Sequence, residues 1–253
     1  MSNKQRRLLI IATAALLAGA GSAQAWSWNA SGERINGSGE AGSEVREVGV
    51  FDGISTSGGF KVLIRQGASN RLELKADNNL LAYFETKVVE GSKGRVLEVS
   101  PKRGYNLHTT ITPQLVLDMP QLRSISIAGS GDIKVEAMKT PAVEASISGS
   151  GNIIFDKLES ERLGLKVSGS GDVVAAGRTQ QLSVSVAGSG DVKARALEAD
   201  EVKVSIAGSG DAKVTAVKKL NVSIAGSGDV SYAGSPEISM SVAGSGKVKK
   251  LDK

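Results

Sequence analysis

The tetrapeptide Gly-Ser-Gly-Asp, or a near variant of it, begins at Gly129, Gly149, Gly169, Gly188, Gly208, Gly226 and Gly244. The steps between copies are 20, 20, 19, 20, 18 and 18 residues. A period of this length is the signature of a solenoid, in which each repeat forms one coil. Gly/Ser-rich segments elsewhere form flexible linkers, but the flanks of these tetrapeptides alternate. Val202, Val204, Ile206, Gly208, Gly210, Ala212 and Val214 fall on one face, and Lys203, Ser205, Ala207, Ser209, Asp211 and Lys213 on the other. That is a strand pattern of period two.

The register recurs from copy to copy. Before the glycines the apolar positions read Ile125/Ile127, Val143/Ala145/Ile147, Leu163/Leu165/Val167, Leu182/Val184/Val186, Leu220/Val222/Ile224 and Ile238/Met240/Val242. After them come Ile133, Ile153, Val173, Val192, Ala212, Val230 and Val248. No single repeat can bury such a face, whereas coils stacked at roughly 4.8 Å place each apolar side chain between equivalents above and below. Parallel strands of one sheet are joined by right-handed crossovers in about 98% of cases. The expected fold is therefore all-β: a right-handed, single-stranded parallel β-helix of about seven 18–20-residue coils over residues 123–253. An N-terminal β region over residues 44–122 is expected to precede it and cover its first coil. The glycine pair admits two readings: inward glycines that let backbones approach closely, or a corner that needs positive φ.

Ahead of these regions, Lys4, Arg6 and Arg7 precede the apolar run Leu8 to Ala20, and Ala23-Gln24-Ala25 precedes Trp26. This is the layout of a secretory signal peptide, residues 1–25. Its removal takes three cations from the formal charge of +5, leaving +2 over residues 26–253. With no basic cluster interleaved with aromatics, nucleic acid is not an expected partner. No later segment is long and apolar enough to span a bilayer as a helix, and the absence of cysteine excludes disulfides. Gly32, Gly37, Gly39 and Gly42 mark residues 26–43 as a flexible linker. Strands are expected at Lys61 to Arg65, Arg71 to Lys75, Thr86 to Val89, Val96 to Val99 and Gln114 to Leu117, with turns at Asp77-Asn78-Asn79 and Glu90-Gly91-Ser92.

The outward positions also form columns. Ser130, Ser150, Ser170, Ser189, Ser209, Ser227 and Ser245 stand beside Asp132, Asn152, Asp172, Asp191, Asp211, Asp229 and Lys247. Lys134, Lys193, Lys213 and Lys249 follow two residues later on the same face. Carboxylates at this spacing repel by roughly 1 kcal/mol in water. Three arrangements would offset that repulsion: flanking lysines, aspartates that each cap their own turn, or bound calcium. One aspartate per coil is a poor match to the six to eight oxygens calcium takes, and no cofactor is expected. The candidate binding residues are Ser189, Asp191, Lys193, Ser209, Asp211, Lys213, Asp172 and Asp229. Envelope polysaccharide, envelope protein or a second copy of the chain are the candidate partners. Lys247, Lys249, Lys250 and Lys253 place like charges on the terminal coil, which discourages end-to-end stacking.

Val50-Phe51-Asp52-Gly53-Ile54, the segment Ser57-Gly58-Gly59-Phe60-Lys61-Val62-Leu63-Ile64-Arg65-Gln66-Gly67, and Asp77-Asn78-Asn79-Leu80, followed by the serial Gly-Ser-Gly-Asp copies, resemble the putative autotransporter adhesin, head GIN domain family over roughly residues 48–250. The resemblance implies a bacterial envelope β-helix, periplasmic or at the surface, with adhesion as its expected role. The chain departs from it in ending at Lys253 without a translocator barrel and in lacking the lipoprotein cysteine of many relatives. The rival class is a polysaccharide lyase or hydrolase on a β-helix scaffold. Glycosidases need two carboxylates with distinct roles, whereas the aspartate column repeats one group. From Gly129 onward the aromatics are Phe155 and Tyr232, both in the inward register, and the sole histidine, His108, lies outside the repeats. A non-catalytic binding or structural module is therefore expected.

Overall fold

The computed structural model describes residues 32–91 and 94–251. The leader, Trp26 and Trp28, the turn residue Ser92 and Lys253 lie outside the described residues.

The first strands are β1 (Glu33–Asn36), β2 (Ala41–Arg46), β3 (Gly53–Ser57), β4 (Lys61–Gln66) and β5 (Arg71–Asp77), followed by a 3-10 helix (Asn78–Tyr83). Next come β6 (Phe84–Gly91), β7 (Gly94–Pro101), β8 (Tyr105–His108) and β9 (Gln114–Met119). The repeats supply β10 (Ser124–Gly129), β11 (Asp132–Lys139), β12 (Ala142–Gly149), β13 (Asn152–Gly169), β14 (Val173–Gly188), β15 (Val192–Gly208) and β16 (Ala212–Gly226). The last coil consists of β17 (Val230–Gly234), β18 (Glu237–Gly244) and β19 (Val248–Lys250).

The repeats stack as a parallel β-solenoid of about six turns, against about seven coils expected from counting tetrapeptides. Each coil has three sides. In β13 the alternation of buried and exposed residues breaks at Asp156/Lys157 and again at Glu161/Arg162, and the Gly-Ser-Gly segment makes the remaining corner. The leading side, before the glycines, keeps unbroken register, as in Val184↔Val204↔Val222↔Met240. The trailing side, after them, runs Ile153↔Val173↔Val192↔Ala212↔Val230↔Val248. The register shifts that absorb the 18–20-residue variation fall beyond these columns, between Phe155 and Leu158 and at their equivalents in β14 and β15.

Val, Ile, Leu and Ala columns fill the interior, with Phe155 fully buried among them. One expected core column is not buried. Ile238, Met240 and Val242 are exposed, Met240 at 64% against 4% for Val222 one coil below. An inward side chain needs a coil on both sides, and no described coil covers this one. Tyr232 and Val248 of the same coil are only partly buried.

At the other end, β3 pairs in parallel with β10, and β4 with β11. Below them lie β7 and β9, also parallel. The antiparallel strands β6 on β7, β5 on β9 and β2 on β5 then cover the edge. The N-terminal β region thus contributes solenoid rungs as well as a cap. Within residues 26–43, read from sequence as a linker, Glu33–Asn36 is a strand paired with β8, and β2 begins at Ala41. The buried carboxylate of Asp77 organises this part. It accepts the backbone N–H groups of Gly39 at 2.8 Å and of Thr110 and Ile111 at 3.0 Å each. The expected turn at Asp77-Asn78-Asn79 is the start of the 3-10 helix.

Candidate functional site

Both readings of the glycine corner hold, one for each glycine. The first glycine of each copy has positive φ, +139° at Gly208, a conformation that L side chains rarely adopt. The second, Gly210, is buried, and a Cβ built on it would overlap the carbonyl oxygen of Gly190 and stand 3.0 Å from the Val186 side chain. Each corner is hydrogen-bonded to the next. The Gly188 carbonyl accepts the N–H of Ser209 at 2.9 Å and of Gly210 at 3.2 Å. Ser189, Ser209 and their column equivalents are left exposed on the outer surface of this tightly stacked edge.

The aspartates beside them form a continuous hydrogen-bonded rail. Oδ1 of Asp172 accepts the backbone N–H of Asp191 at 3.0 Å, Asp191 that of Asp211 at 3.0 Å, Asp211 that of Asp229 at 2.8 Å, and Asp229 that of Lys247 at 2.8 Å. The carboxylates therefore cap backbone donors as expected, but in the coil above instead of in their own turn. Lysines supply the second offset. Lys193 Nζ lies 2.7 Å from Asp172 and 4.0 Å from Asp191, and Lys249 lies 3.6 Å from Asp229. Burial raises the Asp172 pKa, but donation from Lys193 and from the Asp191 N–H outweighs it, so its carboxyl is held below the usual range. Lys193 is raised correspondingly, chiefly by its hydrogen bond to Asp172. Lys134 turns instead to Asp156 at 2.9 Å, and Ile154 and Val174 interrupt the lysine column before Lys193 and Lys213. Among the described residues no three acidic or histidine side chains gather as metal ligands.

The stack of glycine corners extends one rung further than the tetrapeptides indicate. Ser57-Gly58-Gly59-Phe60 forms a degenerate corner beneath Gly129. Gly58 has φ +117° and its N–H donates to the Ala128 carbonyl at 2.9 Å, while Phe60 occupies the place of the second glycine. Phe60 is buried and packs edge-to-face on Phe84, with ring centroids 5.4 Å apart. Lys61 then pairs with Asp132, so the acidic column is bounded by lysine at both ends, Lys61 and Lys247. The sequence signal was the Gly-Gly pair between alternating segments. Phe60 and Lys61 obscured it. His108 ends β8 as an exposed residue, and its carbonyl accepts the Gly37 N–H at 2.8 Å.

Stacked parallel rungs, glycine corners and an exposed Ser/Asp/Lys edge define a repetitive β-solenoid. Residues 50–236 match the family model described as "Putative auto-transporter adhesin, head GIN domain". The chain belongs to this family. A solved structure described as a putative lipid binding protein from Parabacteroides distasonis is 28% identical, with a TM-score of 0.73, covering 87% of this chain and all of that one. A putative adhesin from Bacteroides fragilis is 25% identical with a TM-score of 0.81, covering 86% of this chain and all of that one. A putative adhesin from Parabacteroides merdae, at 21% identity and a TM-score of 0.70 over 87% of this chain and all of that one, shares the fold. No match among curated proteins is found.

Proposed function

We propose that this chain is an exported, non-catalytic module of the bacterial envelope that binds or assembles through the Ser/Asp/Lys edge of its solenoid. The observation that carries this reading is the register of that edge. Ser189 and Ser209 stand exposed at successive coils on a backbone locked by the aspartate rail. Such a surface presents identical hydroxyls at roughly 4.8 Å intervals without ordering cost on binding. The remaining oxygens of Asp172, Asp191, Asp211 and Asp229, with Lys193 and Lys213, flank it as charged contacts. The rival lyase or hydrolase reading needs two carboxylates made different by their surroundings, whereas Asp172, Asp191, Asp211 and Asp229 each accept the backbone N–H of the next coil.

The partners to be separated are envelope polysaccharide, envelope protein and the chain itself. The description of the Parabacteroides distasonis relative adds a lipid surface. The test compares the wild type with a Ser189→Arg/Ser209→Arg/Ser227→Arg variant, which obstructs the edge without removing an aspartate from the rail. Glycan arrays, envelope-protein pull-down, anionic and zwitterionic vesicles and sedimentation velocity each report one partner class. At unchanged thermal unfolding, loss of one interaction in the variant is the expected outcome. Identical profiles in every assay would remove the edge from consideration.

A further inference from the structure

The two sides that meet at the glycine corner are uniform along the axis, and all the irregularity of coil length is displaced onto the third side. There the chain is no longer a repeat, because register shifts give each coil its own outline. A concavity of about 580 Å³ lies on this side, within the range of small-molecule sites. It crosses successive coils from Thr140 to Asp200, about 14 Å along the axis.

The residues that line the groove are polar or charged apart from Pro141. Along its floor the Thr140 hydroxyl donates to the Leu122 carbonyl at 2.9 Å, and Ser160 Oγ donates to Thr179 Oγ1 at 3.0 Å. One rim is the paired column Lys139, Glu159, Arg178, which Glu198 continues past the groove and in which the sign of charge alternates coil by coil. Its first member is clamped by the Gln66 amide, which accepts the Lys139 N–H at 2.9 Å and donates to the Lys139 carbonyl at 3.0 Å. Further along, Arg178 pairs with Glu198 at 3.4 Å. The opposite rim carries Glu161, Gln180 and Asp200, the last held by Lys218 at 3.0 Å.

We propose that this groove is a second binding site, independent of the Ser/Asp/Lys edge, and that its ligand is an uncharged oligosaccharide lying along the solenoid axis. A polymer of single charge meets repulsion at every second coil of the Lys139–Glu198 column. A polyhydroxylated chain does not. Each hydroxyl both donates and accepts, so one face of such a ligand satisfies carboxylates and cations alike. Alternating partners at coil spacing match a repeating ligand better than a single compact one.

The test is titration calorimetry on the full chain with cellohexaose, maltohexaose and chitohexaose, with polygalacturonate and hexalysine as charged probes. Saturable binding of at least one neutral hexasaccharide is expected, weakened at least tenfold by Glu161→Ala/Gln180→Ala at unchanged thermal unfolding and unaffected by Ser189→Arg/Ser209→Arg/Ser227→Arg. Absence of binding by all three at millimolar concentration, tighter binding of either charged probe, or binding indifferent to the groove variant would overturn the assignment. The groove shares with the proposed function only the premise of a non-catalytic module. Cleavage of a bound hexasaccharide would sustain the site and defeat that premise.

Discussion

The side-chain amide of Asn152 donates from Nδ2 to Oδ1 of Asp132 at 2.8 Å, in the coil below, while its own Oδ1 accepts the backbone N–H of Asp172 at 3.2 Å. Asn152 thus makes the inter-coil bond of its neighbours and adds a second one, without adding charge. Stacked amides of this kind are the arrangement that stabilises cross-β ladders. Asp211, between Asp191 and Asp229, is the place to transfer it. Asp211→Asn removes like-charge repulsion of roughly 1 kcal/mol and should raise the melting temperature by about 2–4 °C. Asp211→Ala removes the acceptor for the Asp229 N–H and should lower stability by about 0.5–1.5 kcal/mol. A lower melting temperature for the asparagine variant would count against the rail as described.

Gly210→Val places a branched side chain where the Gly190 carbonyl and the Val186 side chain already stand. Neither can retreat, because both belong to the stacked coil below, so the loss should exceed about 3 kcal/mol. Gly91 provides the control, since nothing lies within 4 Å of a Cβ built there and its φ is not positive. Gly91→Ala should change denaturant midpoints little.

Acid should loosen the N-terminal strands through Asp77. Burial raises the Asp77 pKa, but donation from Ile111, Gly39 and Thr110 outweighs it and the net displacement is downward. A carboxyl lowered on folding contributes stability that is complete above its unfolded pKa of about 3.9 and is lost as pH falls through the folded value. Amide exchange at Gly39, Thr110 and Ile111 should therefore be insensitive to carboxyl titration between pH 7 and 5, once intrinsic rates are divided out, and lose protection below about pH 4. Asp77→Ala leaves three donors without their acceptor and should lower stability by about 2 kcal/mol or more. Unaltered protection of these amides in that variant would contradict the assigned role.

Thr56 is fully buried, and its Oγ1 has no hydrogen-bond partner among the described residues. It sits in the inward column between Val99 and Ile127. Thr56→Val keeps the branched shape and removes a hydroxyl desolvated without compensation, a penalty of about 1–3 kcal/mol. Urea denaturation should show an increase of about 1 kcal/mol with unchanged slope. A decrease would place an ordered water on that hydroxyl.

The solenoid was legible because its contacts are periodic in the chain. Val204 lies between Val184 and Val222 for the same reason that each is followed by Gly-Ser-Gly, and one period of about twenty residues specifies both. Where contacts are not periodic the sequence was silent. Gly37, Gly39 and Gly42 read as linker because local composition carries no trace of Asp77, whose carboxylate meets Gly39 across 38 residues of chain. Phe60 masked a corner because its value lies in packing against Phe84.

The candidate edge divides in the same way. The serine, aspartate and lysine columns followed from counting alone, since equal steps put equal residues on one line. Whether an aspartate caps its own turn or the next coil is decided by a rise of roughly 4.8 Å between coils, a distance set by the stacked backbone and written in no single repeat. The burial of Leu220, Val222 and Ile224 and the exposure of Ile238, Met240 and Val242 follow from the same cause: identical patterns differ where no described coil lies above one of them. Local alternation thus determined which face of each strand is apolar, and only the stacking of coils decided which of those faces leaves water.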